Sequence, residues 1–148
     1  MKDFILLGLQ GAGKGTLDKY LVEKFGFKIF DIGNELRELA KVNVEVRDII
    51  NAGNLAPDGL ALNIVREFLK LTKAPIIFDG FPRTTNQVKL FDNLMKEFGR
   101  DYLGFYLTVS KEIALNRCIG RGRTDDDISI IKRRMDTFLA ETIKVIEY

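Results

Sequence analysis

Short apolar runs alternate along this chain with longer stretches whose apolar residues recur every three or four positions. Phe4-Ile5-Leu6-Leu7 has the length and composition of a buried parallel strand. Leu17, Leu21 and Phe25 then fall at helical spacing, until Gly26 breaks the pattern. Residues 27–32 read as a second strand. Gly33-Asn34 opens a helix from Glu35 to about Lys41, and 44–52 forms another, stopped by Gly53-Asn54. Pro57-Asp58 starts the next helix, with proline and acid both favoured at a first turn. Residues 74–79 are a third strand ending in an acid. A turn over 80–84 leads into a helix over 85–98, and 102–109 is the fourth strand. Ser110 is placed to cap a helix reaching about Gly120, and Asp125 or Asp126 to cap a last one. Strands alternating with helices predict an α/β fold with a mainly parallel sheet of four strands, one domain over residues 1–148.

Between the first strand and first helix stands Gly8-Leu9-Gln10-Gly11-Ala12-Gly13-Lys14-Gly15-Thr16. Strand, glycine-rich turn and helix are the context a P-loop requires. Glycines let the backbone curl so that successive N–H groups point at a phosphate, and the helix N-terminus adds partial positive charge. Lys14 supplies an ammonium for the outer phosphates, and the Thr16 hydroxyl can face a phosphate or Mg²⁺. Glycine follows the lysine, and the hydroxyl comes one residue later. These features predict a nucleotide site and a three-layer fold like that of the P-loop nucleoside triphosphate hydrolases.

Composition narrows the chemistry. A chain of 148 residues with 46% hydrophobic and 30% charged residues is ordinary for a globular domain. A net charge of +2 argues for neither nucleic acid nor membrane as a partner. One cysteine, Cys118, allows no disulfide within the chain, so a reducing, cytoplasmic setting is expected. Histidine is absent, which removes histidine triads and histidine metal sites.

In an α/β sheet, active groups gather at the carboxyl ends of the strands, where 8–16, 32–37 and 79–83 all fall. Asp79 closes an apolar strand beside the expected P-loop, a position suited to holding Mg²⁺ directly or through water. Its alternative is to cap the following helix. Arg37, Arg83, Arg117, Arg121, Arg123 and Arg134 lie near turns or helix ends on the same edge. Guanidinium forks neutralise the charge that develops on a transferring phosphoryl group. An acceptor that is itself a phosphate needs no general base.

The chain resembles the adenylate kinases almost end to end. Gly8 to Thr16 match the family's Gly-x-x-Gly-x-Gly-Lys-Gly-Thr pattern. Asp79-Gly80-Phe81-Pro82-Arg83-Thr84 with Gln87 match a second, highly specific one. The resemblance implies transfer of a phosphoryl group from MgATP to AMP, giving two ADP. It assigns the ATP phosphates to Gly11, Ala12, Gly13, Lys14, Gly15 and Thr16, clamped by Arg117 and Arg121. AMP falls to Ile32, Gly33, Arg37, Asn54, Leu55, Ala56, Gly80, Arg83 and Gln87, with Gln87 reading the adenine edge. Lys14, Arg83, Arg117, Arg121, Arg123 and Arg134 form the transfer centre, Arg123 and Arg134 also reaching the AMP side. The metal falls to Asp79. An AMP-binding part spans about 31–58 and a minimal lid about 121–126. The expected partners are ATP, AMP and ADP, with the protein acting as a monomer.

Three departures from the family pattern stand out. The short lid excludes a zinc-binding lid domain. Ile32 replaces a threonine that offers a hydroxyl near the AMP base. The chain stops at Tyr148, where the family adds a fifth strand and a helix, which predicts a bare sheet edge. The alternatives are a UMP/CMP-type kinase, against which Gln87 argues, and an ATP-binding module without transfer activity.

Overall fold

The computed structural model describes residues 2–121 and 127–148. In chain order it contains β1 (Asp3–Gly8), α1 (Lys14–Phe25), β2 (Lys28–Asp31), α2 (Ile32–Ala40), α3 (Val44–Asn51) and α4 (Asp58–Leu71). There follow β3 (Ile76–Asp79), α5 (Thr85–Glu97), β4 (Tyr102–Leu107), α6 (Lys111–Arg121), α7 (Ile128–Thr137) and α8 (Ile143–Ile146). A π-helical turn, Phe138–Thr142, joins the last two helices.

The sheet is parallel throughout, in the order β2-β3-β1-β4. Residue pairing sets Leu6 of β1 and Asp31 of β2 both opposite Asp79 of β3. The carboxyl ends of three strands therefore lie level. The chain leaves β1 toward one edge and β3 toward the other, so a crevice opens beyond their shared end.

Side chains alternate across the sheet, as strand geometry demands. Leu6 and Ile77 point to one face, where they meet Phe27 and the Leu17, Leu21 and Val22 stripe of α1. Ile5, Leu7, Phe30, Ile76 and Phe78 point to the other, under residues of α2, α3, α4 and α5. Phe81 joins this second layer edge-on to Phe91, with ring centroids 5.6 Å apart. That contact anchors the turn after β3. A third cluster, built on Leu9, Ala114, Cys118, Ile131 and Met135, fastens α6 and α7 to the glycine turn. The lone cysteine is thus a packed core residue.

Several boundaries differ from those read in the sequence. β2 stops at Asp31 because its carboxylate accepts the Asn34 N–H at 3.0 Å and starts α2 at Ile32, ahead of Gly33-Asn34. Asp127 caps α7 through the Ser129 N–H at 2.8 Å, rather than Asp125 or Asp126, which lie outside the described residues. Thr84 caps α5 through the Gln87 N–H, so Asp79 is not needed as a helix cap. β4 ends at Leu107, and among the described residues no strand covers its outer side. Leu103, Phe105 and Tyr106 of this strand stay exposed. Among the described residues no helix is long and apolar enough to cross a membrane.

At the opposite end of the sheet from the crevice, Asp3 is buried, 1% exposed. Its Oδ1 accepts from the Ile76 N–H and from Arg100 Nη2, both at 2.8 Å, and its Oδ2 accepts from Arg100 Nε at 2.7 Å. Arg100 also donates to the carbonyl of Ala74 at 2.6 Å. One ion pair thus ties the start of β1 to the entry of β3 and the loop before β4. Removing Asp3 leaves the buried Ile76 N–H without its acceptor and the largely buried Arg100 without its counter-ion. Asp3→Ala is expected to lower unfolding free energy by about 3–5 kcal/mol, read by urea titration. A loss below about 1 kcal/mol would show that water replaces the carboxylate.

Candidate functional site

The crevice is a cleft of about 650 Å³. The turn between β1 and α1 forms one wall. Gly13 precedes α1 at φ 100°, and Gly11 at φ 88° passes so close to α6 that a Cβ there would lie 2.4 Å from the Ala114 carbonyl oxygen. Only glycine allows both the left-handed backbone and this approach. Gly11, Gly13, Lys14, Gly15 and Thr16 all line the cleft. Lys14 folds back over the turn: its Nζ donates to the carbonyls of Gly8 at 3.0 Å and Leu9 at 3.4 Å. It also lies 3.7 Å from Asp79 Oδ1. Burial depresses the Lys14 ammonium below its usual range, and the Asp79 charge opposes that shift.

The facing wall comes from α2, α3, the α3–α4 loop and the turn after β3. It includes Gly33, Leu36, Arg37, Ile50, Gly53, Asn54, Leu55, Gly80 and Arg83. Arg37 Nη2 stands 3.7 Å from Asp31 Oδ2, and Arg83 Nε donates to the Gly80 carbonyl at 2.6 Å. Burial also depresses Arg83, against the pull of Asp79 and Asp31, and Arg134 and Arg37 add repulsion from the same space. Arg117 reaches across from α6 and donates through Nη1 to the Gly11 carbonyl at 3.2 Å. Arg134 of α7 donates through Nη2 to the Ile50 carbonyl at 3.4 Å.

Lys14, Arg37, Arg83, Arg117, Arg121 and Arg134 therefore line one cleft, against the acids Asp18, Asp31 and Asp79. Convergent guanidinium groups around a backbone phosphate cradle suit a bound polyanion. The cleft has two halves, the glycine turn on one side and Arg37 with Arg83 on the other. Lys14 and Asp79 stand between them.

Not every residue anticipated from the sequence reaches this space. Ala12, Ile32, Ala56 and Gln87 do not line the cleft. Ile32 is turned into the core. Gln87 is 2% exposed, and its amide is engaged: Oε1 accepts the Arg83 N–H and Nε2 donates to Asp58 Oδ1, both at 2.8 Å. It thus braces the backbone of the arginine turn. Arg123 and residues 122–126 of the expected lid lie outside the described residues.

Other cleft residues escaped the sequence reading. Ile29, Thr137, Phe138 and Thr142 line it, the last two from the π-helical turn. Arg133 donates through Nη2 to Asn54 Oδ1 at 2.7 Å and seats α7 on the α3–α4 loop. Asp18 is the most unexpected: an acid 3% exposed, on α1 one turn after Lys14. Its sequence signal is a carboxylate on a helical stripe with Leu21, Val22 and Phe25, where an apolar residue belongs. Asp18 and Asp79 lie within hydrogen-bonding reach of each other. Burial, then the Asp79 charge, pushes the Asp18 carboxyl up to about 7, and burial raises Asp79 as well.

A parallel sheet with a glycine turn opening a helix at its carboxyl edge defines an α/β protein of the P-loop type. Comparison with known proteins narrows this. The adenylate kinase family model matches residues 6–148. The chain is 37% identical over 153 residues to an adenylate kinase of Thermus thermophilus, covering 97% of this chain and 81% of that protein. It is 33% identical over 152 residues to one from Prochlorococcus marinus, covering 99% and 84%, and 30% identical over 159 residues to one from Porphyromonas gingivalis, covering 100% and 82%. The chain belongs to the adenylate kinase family.

The raised Asp18 carboxyl sets the sign of a pH effect. The folded, ligand-free protein holds a proton that the unfolded chain releases near 3.8, so stability falls as pH rises from there through about 7. Asp18→Asn should flatten that fall, seen as melting temperature against pH without metal or nucleotide. An unchanged slope would assign the effect elsewhere.

Proposed function

We propose that this protein transfers the terminal phosphoryl group of ATP to AMP, giving two ADP. The observation that carries this reading is the convergence of a P-loop turn and of Arg37 with Arg83 on opposite walls of one cleft, in a member of the adenylate kinase family. The backbone N–H groups of 11–16 and the Thr16 hydroxyl hold the ATP phosphates. Arg117 and Arg121 clamp them from α6. Arg37 and Arg83 grip the AMP phosphate, and Gly33, Asn54 and Leu55 border its nucleoside. Lys14, Arg83 and Arg134, with Arg123, neutralise the charge that spreads over the equatorial oxygens in transfer.

The acceptor attacks as a phosphate anion, so no side chain has to remove a proton from it. That agrees with a chain that has no histidine. Residues 31–58 serve as the AMP-binding part and 121–126 as the lid, excluding the water that would otherwise hydrolyse ATP. The donor set fits Mg²⁺: Asp79 Oδ1 is a buried carboxylate oxygen that accepts no hydrogen bond, and hard oxygens are the ligands this ion takes. Asp79 and Thr16 would hold it, and when bound it would supply charge neutralisation on the phosphates. The protein acts as a monomer in the cytoplasm.

The test is ADP formation with MgATP against AMP, CMP, UMP, GMP or no acceptor. Turnover is expected with AMP and not with the others. Preference for CMP or UMP would instead move the acceptor assignment to the pyrimidine nucleotides. Arg83→Ala should lower kcat by about 100- to 1,000-fold, the cost of removing one preorganised charge-stabilising donor, while ATP affinity stays within a few-fold. Undiminished turnover would remove Arg83 from the transfer centre.

A further inference from the structure

The acid on α1 has a role that the phosphoryl-transfer machinery described above does not use. We propose that Asp18 is a second carboxylate for the divalent cation of the nucleotide site, acting with Asp79, so that the protein binds the cation there before any nucleotide arrives. The inference deepens the assignment of Asp79 to the metal and rests on it.

Three observations converge on this spot. Asp18 Oδ1 and Asp79 Oδ1 are both buried and accept no hydrogen bond. Both residues line the cleft beside Gly13, Lys14 and Thr16, so the two orphan oxygens border the place where phosphates are held. The nearest ammonium does not fill these oxygens. Lys14 stands 3.7 Å from Asp79 Oδ1, but its hydrogen bonds go to the Gly8 and Leu9 carbonyls. Asp31 adds negative charge beside the pair, and Arg83 adds positive charge on the Asp79 side.

Two acids buried side by side can rest there only with a proton held between them, which still leaves one oxygen of each without a donor, at a cost to the fold. Helix α1 would pack as well with an apolar residue at this position, next to Leu21 and Val22 of the same stripe. A divalent cation removes the cost by neutralising both acids at once. The chemistry selects a hard ion. Mg²⁺ and Mn²⁺ are commonly bound through one or two carboxylates while keeping several waters, and among the described residues there is no cluster of three or more acidic or sulfur ligands that could form a full protein cage. Two carboxylates and an open cleft leave room for the remaining water and phosphate ligands.

The experiment is titration of the nucleotide-free protein with Mn²⁺, followed by electron paramagnetic resonance of the free ion. The wild-type chain, Asp18→Asn and Asp79→Asn are compared, and circular dichroism melts establish that each is folded. The expected result is one Mn²⁺ site in the wild-type chain, weakened about tenfold or more in each variant. Asp18→Ser serves in place of Asp18→Asn if the amide cannot be accommodated, with the same expected loss. Wild-type Mn²⁺ affinity in the folded Asp18 variant, with loss only in the Asp79 variant, would overturn the proposal and keep Asp79 as the metal residue. Failure of the nucleotide-free wild-type chain to bind Mn²⁺ would overturn the preformed site. Turnover with AMP is read separately, so loss of the kinase reading and loss of this site give different results.

Discussion

The parallel pairing of β1 with β3 is the constraint on which the rest of this molecule depends. Because Leu6 sits opposite Asp79, the glycine turn leaves β1 just past the level at which the acid leaves β3. Lys14, six residues beyond Gly8, can then fold back over its own turn and still come near Asp79. A slip of one residue would send each strand's side chains to the wrong face and would bury the acid in the layer of Phe30 and Phe91. The register is held at the far end by Asp3, which accepts from the Ile76 N–H of the neighbouring strand and from Arg100.

Asp3 and Asp18 make an instructive pair, since both are acids buried beyond 95%. Asp3 is satisfied on both oxygens, by a backbone N–H and by a two-pronged arginine, and it acts as a structural tie. Asp18 shares its surroundings with a second carboxyl, and its Oδ1 is left without a donor. Burial alone does not separate a stabilising charge from a functional one. The partners do. A carboxylate whose lone pairs are filled by the fold belongs to the fold, whereas one left unfilled beside a phosphate cradle points to something that binds there.

The cleft owes its sign to where helices end. Arg37, Arg83, Arg117, Arg121 and Arg134 come from three helices and one turn, and none of them packs in the apolar core. The small residues between them matter as much. Gly11 lets α6 approach the turn, which brings Arg117 within reach of the Gly11 carbonyl. The cleft is therefore a product of close backbone packing as well as of charge.

Much of this was legible in the residues themselves. Short apolar runs and helical periods located all four strands and the helices between them, and the glycine pattern with Lys14 and the Asp79-to-Thr84 turn pointed to phosphate chemistry. Such features are local: a left-handed turn, a strand's length and a helix's apolar stripe depend on residues close in sequence. The boundaries at Asp31 and Asp127 were harder, because a cap is chosen by competition between neighbouring polar residues. What only the tertiary structure decided was non-local. It turned Ile32 into the core, tied the Gln87 amide to Asp58, seated Arg133 on Asn54 and set Asp18 against Asp79. Each of these depends on a partner far along the chain, whose position follows from strand order and register rather than from any spacing in the sequence.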